Sequence, residues 1–162
     1  MIVRAATASD YEAIRDLLHD SDAYHAEFLP DLWRVPPGPR FTRTELAELI
    51  ANEEHCLLFV ADHDGDVGGF IEASVQVPEG PEDADQPWCG INNLAVRADW
   101  RRQGIGRTLV RAVVEEWAQC KGLMQTRLEV YEFNAGARTL YEQLGYVTYS
   151  RRMRKSLTEG PL

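Results

Sequence analysis

Apolar and polar residues recur along this chain with two different periods, and each period predicts a different kind of element. Apolar residues three or four positions apart share one face of a helix. They predict helices over residues 9–28, 42–53, 104–120 and 134–144. Short β-branched or alternating runs predict strands over residues 2–7, 56–62, 67–77, 88–96, 126–133 and 146–157. The order β-α-α-β-β-β-α-β-α-β predicts an α/β fold, with helices on the faces of a mixed sheet.

Turn and capping residues mark several boundaries between these elements. Thr42 followed by Glu45 forms a capping box at the start of the second helix. Asp64 and Gly65 are typical of the two-residue turn of a hairpin. Proline-rich stretches exclude regular structure, and they predict loops over residues 29–40 and 78–87.

Length and composition restrict the class of protein. A chain of 162 residues predicts one domain, which we place at residues 1–157 with a flexible tail at 158–162. No apolar run approaches the roughly 20 residues that cross a bilayer, and the N-terminus lacks the apolar block of a signal peptide. A cytoplasmic protein is therefore expected. Cys56, Cys89 and Cys120 show no metal-ligand spacing, so we expect free thiols and no metal.

The net charge of −9 bears on the partners of the protein. An acidic chain is poorly suited to nucleic acid or to an anionic membrane, so neither is expected as a partner. The charge leaves room for a cationic substrate, although acidity also serves solubility alone.

Candidate chemistry begins at the sequence RRQGIG, residues 101–106. Arginines stand here at the start of a predicted helix, where the helix dipole disfavours cations. Glycines leave backbone N–H groups accessible at that helix end, and arginines add cationic donors. These residues are Arg101, Arg102, Gly104, Gly106 and Arg107. A bound pyrophosphate makes the arrangement favourable, because amides, dipole and guanidinium groups then face one anion. The alternative is that the arginines simply extend into water.

Two motifs give the chain a resemblance to a known family. The first is Arg/Gln-x-x-Gly-x-Gly/Ala after an apolar strand, and Arg101, Gly104 and Gly106 match it behind INNLAV. The second is Asn-x-x-Ala-x-x-Leu-Tyr-x-x-x-Gly-Phe/Tyr, which is matched by Asn134, Ala137, Leu140, Tyr141, Gly145 and Tyr146. In these motifs the chain resembles the GNAT superfamily of N-acetyltransferases, which use acetyl-coenzyme A. The resemblance covers residues 90–150 closely. It implies the GNAT fold, with a mixed, mostly antiparallel central sheet and helices on both faces.

The resemblance implies which residues bind the coenzyme. Its pantetheine arm is expected to meet backbone groups of one strand and one asparagine side chain, at Leu94, Ala95, Val96 and Asn134. Its pyrophosphate is expected to meet backbone amides and two arginines, at Arg101, Arg102, Gln103, Gly104, Ile105, Gly106 and Arg107. Without any ligand, Asn134 is equally suited to cap the helix that follows it, and Gly145 to end that helix.

The resemblance also implies how the acetyl group is transferred. Tyr141 is expected to donate a proton to the departing thiolate, since a phenol with a pKa near 10 can assist a thiol with a pKa near 8.5. The N–H of Val96 is expected to polarise the thioester carbonyl. The alternative for Tyr141 is a packing role beside Leu140. Cys89 has no neighbour in the sequence that would activate it, so direct attack by the amine is expected.

The general base departs from the family pattern. Where many members have glutamate, two residues before the leucine of LAV, this chain has Asn92, and a carboxamide cannot act as a base near neutral pH. Glu72 is our candidate, because it shares a strand face with Ser74 and Gln76 that suits a cleft. The alternative is that this strand face is simply solvated. Other candidate bases are Glu27, Asp31 and His25, and an amine of low pKa needs none.

The acceptor amine is expected to bind where the first two helices meet the loop between them. Aromatic residues there supply apolar walls, and carboxylates can pair with an ammonium group, although the aromatic residues are equally compatible with a core. The candidate substrate-binding residues are Glu27, Asp31, Trp33 and Asn92. We expect an acetyltransferase acting on a primary amine, with a small molecule favoured over a protein. The alternatives are a non-catalytic acyl-coenzyme A sensor and a nucleotide-binding protein of unrelated fold. A homodimer is also compatible with the resemblance.

Overall fold

One mixed sheet organises the chain in the computed structural model, which describes residues 1–78, 86–155 and 157, without the side chains of residues 114 and 115. The strands are β1 (Ile2–Ala5), β2 (Cys56–His63), β3 (Asp66–Gln76), β4 (Trp88–Val96) and β5 (Thr126–Leu128). The α-helices are α1 (Tyr11–Phe28), α2 (Arg43–Ala51), α3 (Ile105–Arg111) and α4 (Ala135–Gln143). In the described residues the strands lie in chain order, antiparallel from β1 to β4, with β5 parallel to β4. The predicted mixed, mostly antiparallel sheet is confirmed.

Alternation along the strands gives each face of the sheet its own core. In β3 the side chains of Phe70 and Glu72 point to one face, and those of Ile71 and Ala73 point to the other. Helices α1 and α2 cover the first face with apolar residues at helical spacing, which are Tyr11, Ile14, Leu17, Leu18 and Leu46. Helices α3 and α4 cover the second face with Ile105, Leu109, Val110 and Tyr141. Helices on both faces are therefore confirmed.

The local signals that mark turns and caps are also confirmed. The Thr42 hydroxyl accepts a hydrogen bond from the Glu45 N–H at 3.2 Å, and the Glu45 carboxylate accepts one from the Thr42 N–H at 2.7 Å. Asp64 and Gly65 have φ angles of 54° and 88°, the left-handed pair that a two-residue hairpin turn requires.

The C-terminal third of the chain departs from prediction in three places. The helix predicted over 104–120 begins at Ile105 and changes after Arg111 to π-helical turns over Ala112–Ala118. The strand predicted over 126–133 ends at Leu128, and the residues after it form a loop. The strand predicted over 146–157 is wrong, because the described residues 146–155 and 157 form no strand.

The alternation over 146–157 fails for an identifiable reason. The adjacent edge, β5, is three residues long and offers few backbone partners. Val147, Tyr149 and Met153 are therefore largely exposed. The predicted tail at 158–162 and residues 79–85 of the predicted acidic loop lie outside the described residues. Of the helices in the described ranges, none has both the length and the apolar character that crossing a membrane requires.

Arg4 joins the first strand to two carboxylates. Its guanidinium donates to both oxygens of Asp10 at 2.8 Å and to Asp62 at 2.8 Å. Asp10 is buried at the turn that leads into α1. The hydrogen bond from Arg4, with further bonds from Thr7, lowers the pKa of Asp10 although burial opposes this. The folded state therefore favours the charged form of Asp10.

Replacing Arg4 by glutamine is expected to destabilise the protein by about 2 kcal/mol at pH 7, less than for a fully buried pair because Arg4 is partly exposed. Because the folded-state pKa of Asp10 is lowered, this contribution is present above the unfolded-state pKa, near 3.8, and is lost as the pH falls through the folded-state value. Urea unfolding of wild type and variant at pH 7 and pH 3 measures the difference in their free energies of unfolding. Arg15→Gln, which removes only exposed ion pairs, is the control. A difference that is as large at pH 3 as at pH 7 would contradict the pairing.

Candidate active site

The sheet opens where β5 separates from β4. Residues Cys89–Ile91 of β4 pair with β5, and no described strand pairs with that edge from Asn92 to Val96. On the opposite edge the Arg97 N–H donates to the Gly68 carbonyl at 2.8 Å. Because backbone groups alternate between the two edges of a strand, Leu94 and Val96 present N–H and C=O to the open edge. Ala95, which pairs with Phe70, presents its groups to β3 instead.

A β-bulge in β4 brings two asparagines onto the same face. Glu72 pairs with Asn93 and Ala73 pairs with Ile91, so Asn92 is an additional residue in β4. The side-chain amides of both asparagines donate to the Glu72 carboxylate, Asn92 at 3.3 Å and Asn93 at 2.6 Å. Asn92 therefore contacts the predicted base and does not replace it.

Glu72 is the most buried member of a polar row that also contains Asn92, Ser74 and Gln76. It is 7% exposed, and beyond it Ser74 accepts hydrogen bonds from Asn92 at 2.9 Å and from Gln76 at 2.7 Å. In the described residues no lysine, arginine or histidine forms an ion pair with Glu72. The hydrogen-bond donors that contact Glu72 in the described residues are therefore neutral amides.

An arginine connects this row to the proline-rich loop. The Asp22 side chain is almost fully buried and accepts hydrogen bonds from Nε of Arg40 at 2.9 Å, from Nη2 of Arg40, and from the Trp33 indole at 3.3 Å. The remaining nitrogen, Nη1 of Arg40, donates to Oδ1 of Asn93 at 3.5 Å. Two loop residues, Trp33 and Arg40, are thereby fixed to α1 and to the asparagine that contacts Glu72.

Six aromatic rings form a wall beside this arginine, and we call them the aromatic cluster. They are Tyr24, His25, Phe28, Trp33, Tyr131 and Phe133. Phe28 stacks on Phe133 with ring centroids 4.9 Å apart, and His25 lies 5.0 Å from Trp33. Phe28 and Tyr131 are exposed, so the cluster borders solvent.

The four predicted acceptor residues are therefore divided. Trp33 belongs to the aromatic cluster, and Asn92 contacts Glu72. Glu27 and Asp31 are exposed and make no hydrogen bond or ion pair with another described side chain.

The loop before α3 contains two residues in the left-handed conformation. Arg102 and Gly104 both have left-handed φ angles, of 64° and 82°, and this conformation costs a residue with a side chain about 1 kcal/mol or more. Helix α3 also leaves its first amides unpaired, since its first hydrogen bond runs from the Thr108 N–H to the Gly104 carbonyl. The N–H groups of Ile105, Gly106 and Arg107 therefore have no acceptor within the helix. A Cβ atom on Gly106 would lie 3.2 Å from Leu140, so the helix end packs closely on α4.

The side chains of this loop mostly bond to the protein itself. Nε of Arg101 donates to the Val96 carbonyl at 2.9 Å, and Gln103 donates to the Asp99 carbonyl at 3.1 Å. Arg107 donates to Gln143 on α4 at 2.6 Å. The side chain of Arg102 is exposed and makes no hydrogen bond or ion pair with a described residue.

Helix α4 carries the predicted acid on the second face of the sheet. Tyr141 is 8% exposed, its ring meets that of Tyr146 edge-on at 5.6 Å, and its hydroxyl has no hydrogen-bond partner among the described residues. Burial, with a smaller effect of Tyr146, raises the pKa of Tyr141 and keeps the phenol protonated. At the start of α4, the side-chain oxygen of Asn134 accepts a hydrogen bond from the Ala137 N–H at 3.1 Å, so its capping role is confirmed.

The cysteines nearest to these groups are poor nucleophiles. Burial raises the pKa of Cys89 to about 11. Burial and the negative charge of Glu72 raise the pKa of Cys56. Both thiols therefore stay protonated at neutral pH. In the part of the chain that the structure describes, no group of three or more acidic, histidine or cysteine side chains is arranged to hold a metal ion.

Comparison with known proteins places this architecture in a family. The profile of the acetyltransferase (GNAT) family matches residues 18–146, which include the polar row, the open edge of β4 and the loop before α3. The chain belongs to this family. Membership accounts for the open sheet, the glycine loop and the second motif together.

Individual GNAT relatives differ in the acceptors that their names record. Ribosomal protein bS18-alanine N-acetyltransferase of Escherichia coli K12 is 43% identical over 93 residues, which is 57% of this chain and 56% of that protein. The aligned stretch therefore spans little more than half the length of that curated relative. L-amino acid N-acetyltransferase AaaT of the same strain is 26% identical, over 99% of this chain and 91% of its own length. The crystal structure of a mutant of the BH1408 protein from Bacillus halodurans superposes with a TM-score of 0.88 and 25% identity, covering 98% of this chain and all of that one.

The sequence analysis misses several residues that the structure brings together around Glu72 and Trp33. Arg40, Asp22 and Asn93 are absent from the predicted set, as are Tyr131 and Phe133 of the aromatic cluster. One signal does exist in the sequence, since two consecutive polar residues in a buried strand, Asn92 and Asn93, interrupt its alternation and indicate a bulge. The other contacts join residues distant in sequence, and no local pattern reveals them.

Proposed function

We propose that this GNAT protein transfers an acetyl group from acetyl-coenzyme A to a primary amine, with a small molecule favoured over a protein as acceptor. The observation that carries the proposal is the open edge of β4. It lies between a loop of accessible amides on one side and a buried carboxylate, Glu72, on the other. The amine attacks the thioester directly, because neither Cys56 nor Cys89 is an activated nucleophile.

The residues present fit the coenzyme. The groups of Leu94 and Val96 that face the open edge would pair with the pantetheine arm as a further strand does. The amides of Ile105, Gly106 and Arg107, with the cation of Arg102, would hold the pyrophosphate. Arg101 would exchange its bond with the Val96 carbonyl for one with a phosphate oxygen. When bound, the coenzyme supplies an acetyl thioester, which is open to attack at its carbonyl carbon.

On the acceptor side, Glu72 takes the proton that the amine loses as its nitrogen bonds to the carbonyl carbon. Asn92 and Asn93 hold the carboxylate in place without neutralising it. The N–H of Val96 would donate to the carbonyl oxygen as negative charge develops there.

On the opposite face, Tyr141 donates its hydroxyl proton to the sulfur as the carbon–sulfur bond breaks. The side chain is largely buried, and its protonated hydroxyl has no competing acceptor among the described residues. Water then returns a proton to the phenolate. The products are the N-acetyl amine and the free thiol of coenzyme A.

Tyr141→Phe is expected to lower kcat about 30-fold and to leave coenzyme A affinity nearly unchanged, because the hydroxyl acts only as the thiolate departs. Steady-state kinetics and calorimetric titration with coenzyme A separate the two effects. Tyr146→Phe, which removes a hydroxyl bonded to Thr126, is the matched control and should retain most of the activity. Equal losses of turnover and affinity in Tyr141→Phe would instead assign that side chain a packing role.

The names of the relatives support an amine as acceptor, but one names a protein and the other a small molecule. The name of one relative records the alanine of a ribosomal protein, and the name of another records free L-amino acids. The second alignment spans nearly the whole chain, which favours a small molecule. The free thiols of Cys56, Cys89 and Cys120 suit the reducing cytosol, where we propose that the protein acts.

The direct test mixes the purified protein with acetyl-coenzyme A and a panel of amino acids, polyamines, aminoglycosides and peptides. Release of free thiol is followed, and the product is identified by mass. We expect amine-dependent thiol release and an N-acetyl product. Tight coenzyme A binding with no release across the panel would favour the acyl-coenzyme A sensor. Protection from unfolding by ATP or NAD, and none by coenzyme A, would overturn the proposal in favour of a nucleotide-binding protein.

A further inference from the structure

We propose that the acceptor is a free α-amino acid with a large apolar side chain, whose carboxylate binds Arg40 while its amine meets Glu72. This inference rests on the proposed function and adds to it the chemistry of the acceptor. It follows from the one residue, Asn93, that contacts both the arginine and the predicted base.

The two charged groups are close enough for one α-amino acid to reach both. Nη1 of Arg40 lies 3.5 Å from Oδ1 of Asn93, and Nδ2 of Asn93 lies 2.6 Å from Oε2 of Glu72. Since the amide of Asn93 spans about 2 Å, Nη1 and Oε2 are no more than about 8 Å apart. An amino acid separates its nitrogen from its carboxylate oxygens by about 3 Å, and a hydrogen bond of about 2.8 Å at each end extends this to about 8 Å.

Arg40 is oriented to receive a carboxylate. Asp22 holds Nε and Nη2 from one side, which fixes the plane of the guanidinium group. On the other side, Nη1 makes a long contact with Asn93 at a solvent-exposed position, and the Arg40 side chain is 28% exposed. A carboxylate is a stronger acceptor than the amide oxygen at 3.5 Å and would replace it.

The same arrangement disfavours polycationic acceptors. Asp22, which is 2% exposed, is already paired with Arg40 and cannot serve an ammonium group. A second ammonium group on the acceptor would therefore have to displace Arg40 from Asp22. Glu27 and Asp31, which the sequence suggested for this task, are exposed and contact neither group.

The aromatic cluster supplies a surface for the acceptor side chain. Trp33 bonds to Asp22 through its indole N–H, and the Arg40 guanidinium lies 5.3 Å from the centre of the Trp33 ring. The cluster therefore begins directly beside the carboxylate position. An aromatic or long aliphatic side chain would cover exposed ring surface there, and a methyl group would cover little.

The first test compares L-phenylalanine, L-phenylalaninamide, 2-phenylethylamine, L-alanine and spermidine as acceptors for the wild-type protein at pH 8. We expect kcat/KM for L-phenylalanine to exceed that of the amide and of 2-phenylethylamine about 30-fold. More of the amide is unprotonated at this pH, so without carboxylate recognition it would be the better acceptor. We expect L-alanine and spermidine to be poorer by about tenfold or more.

The second test removes the positive charge of Arg40 together with the negative charge of Asp22, so that no unpaired buried carboxylate remains. In Asp22→Asn/Arg40→Gln we expect KM for L-phenylalanine to rise about 30-fold and the preference over 2-phenylethylamine to disappear. Asp22→Asn alone keeps the cation and is expected to keep the preference. Thermal unfolding and coenzyme A titration verify that both variants fold and bind the coenzyme.

The outcomes separate the two proposals. Equal kcat/KM for L-phenylalanine, its amide and 2-phenylethylamine would overturn the role of Arg40 and leave acetyl transfer intact. Acetylation of peptide N-termini without acetylation of free amino acids would overturn the acceptor class in favour of a protein. No thiol release with any amine, in a protein that binds coenzyme A, would overturn the proposed function and the acceptor with it.

Discussion

Glu72→Gln is expected to lower kcat about a thousandfold, the largest effect of any single substitution in this site. Glutamine has nearly the same shape, but its carboxamide cannot accept the proton that the attacking amine must lose. Binding of acetyl-coenzyme A should be unchanged, because Glu72 lies on the face of the sheet opposite Tyr141. Single-turnover measurements of thiol release, with calorimetric titration of the coenzyme, distinguish lost chemistry from lost binding.

An exposed carboxylate serves as the control for this substitution. Glu48→Gln, an exposed residue of α2, is the matched control and should behave as wild type. A Glu72→Gln variant with more than about a tenth of wild-type kcat would assign the base to another group or to water.

Gly104→Asp is expected to weaken coenzyme A binding about a hundredfold. No atom lies within 4 Å of a Cβ at this position, so the side chain fits sterically. A carboxylate there faces the pyrophosphate, and like charges about 4 Å apart repel by several kcal/mol at a partly exposed site. The φ of 82° also strains any residue other than glycine.

Gly104→Asn separates the charge from the strain. Asparagine has the shape of aspartate and tolerates the left-handed conformation, but it is neutral. We expect Gly104→Asn to lose only a small part of the affinity for coenzyme A. The difference in affinity between the two variants should become smaller at high salt, because salt screens the repulsion. Isothermal titration at low and high ionic strength measures the two affinities. Equal affinities in the two variants would remove this loop from the coenzyme site.

A coenzyme site could be proposed from the sequence because its parts are contiguous. The open edge of β4 and the glycine loop are neighbours along the chain, so a local motif carries both. Gly104, where the sequence predicts the start of a helix, has a left-handed φ of 82°. The structure corrects the assignment of Ala95, because the direction of its backbone groups depends on pairing with Phe70.

The acceptor side could not be predicted in the same way because it is assembled from distant segments. Asp22, Arg40, Glu72 and Asn93 come from a helix, a loop and two strands, and their hydrogen bonds span up to 53 positions. The sequence analysis proposed Glu72 by strand alternation, and Glu27 and Asp31 as partners of an ammonium group. The structure shows that Glu72 is buried and that Glu27 and Asp31 are exposed, which no local pattern reports.

The wrong prediction of a strand over 146–157 shows what alternation alone cannot predict. Residues 146–157 alternate as a strand should, yet they lack a neighbouring edge long enough to pair with. Alternation describes which residues could share a face, and pairing depends on backbone partners elsewhere in the chain. The same limit explains why β5 ends at Leu128, five residues before its pattern does.

The additional residue in β4 makes this protein a convenient starting point for redesign. Because it shifts the phase of the strand by one position, Cys89 and Ile91 remain in the core while Asn92 and Asn93 both reach the reacting face. Neither asparagine belongs to the apolar clusters of the sheet, so we expect substitutions at these two positions to leave that packing in place. Moving the carboxylate from position 72 to position 92 would therefore test whether the same scaffold can use a proton acceptor at a new position. Binding of coenzyme A should be unchanged in such a variant.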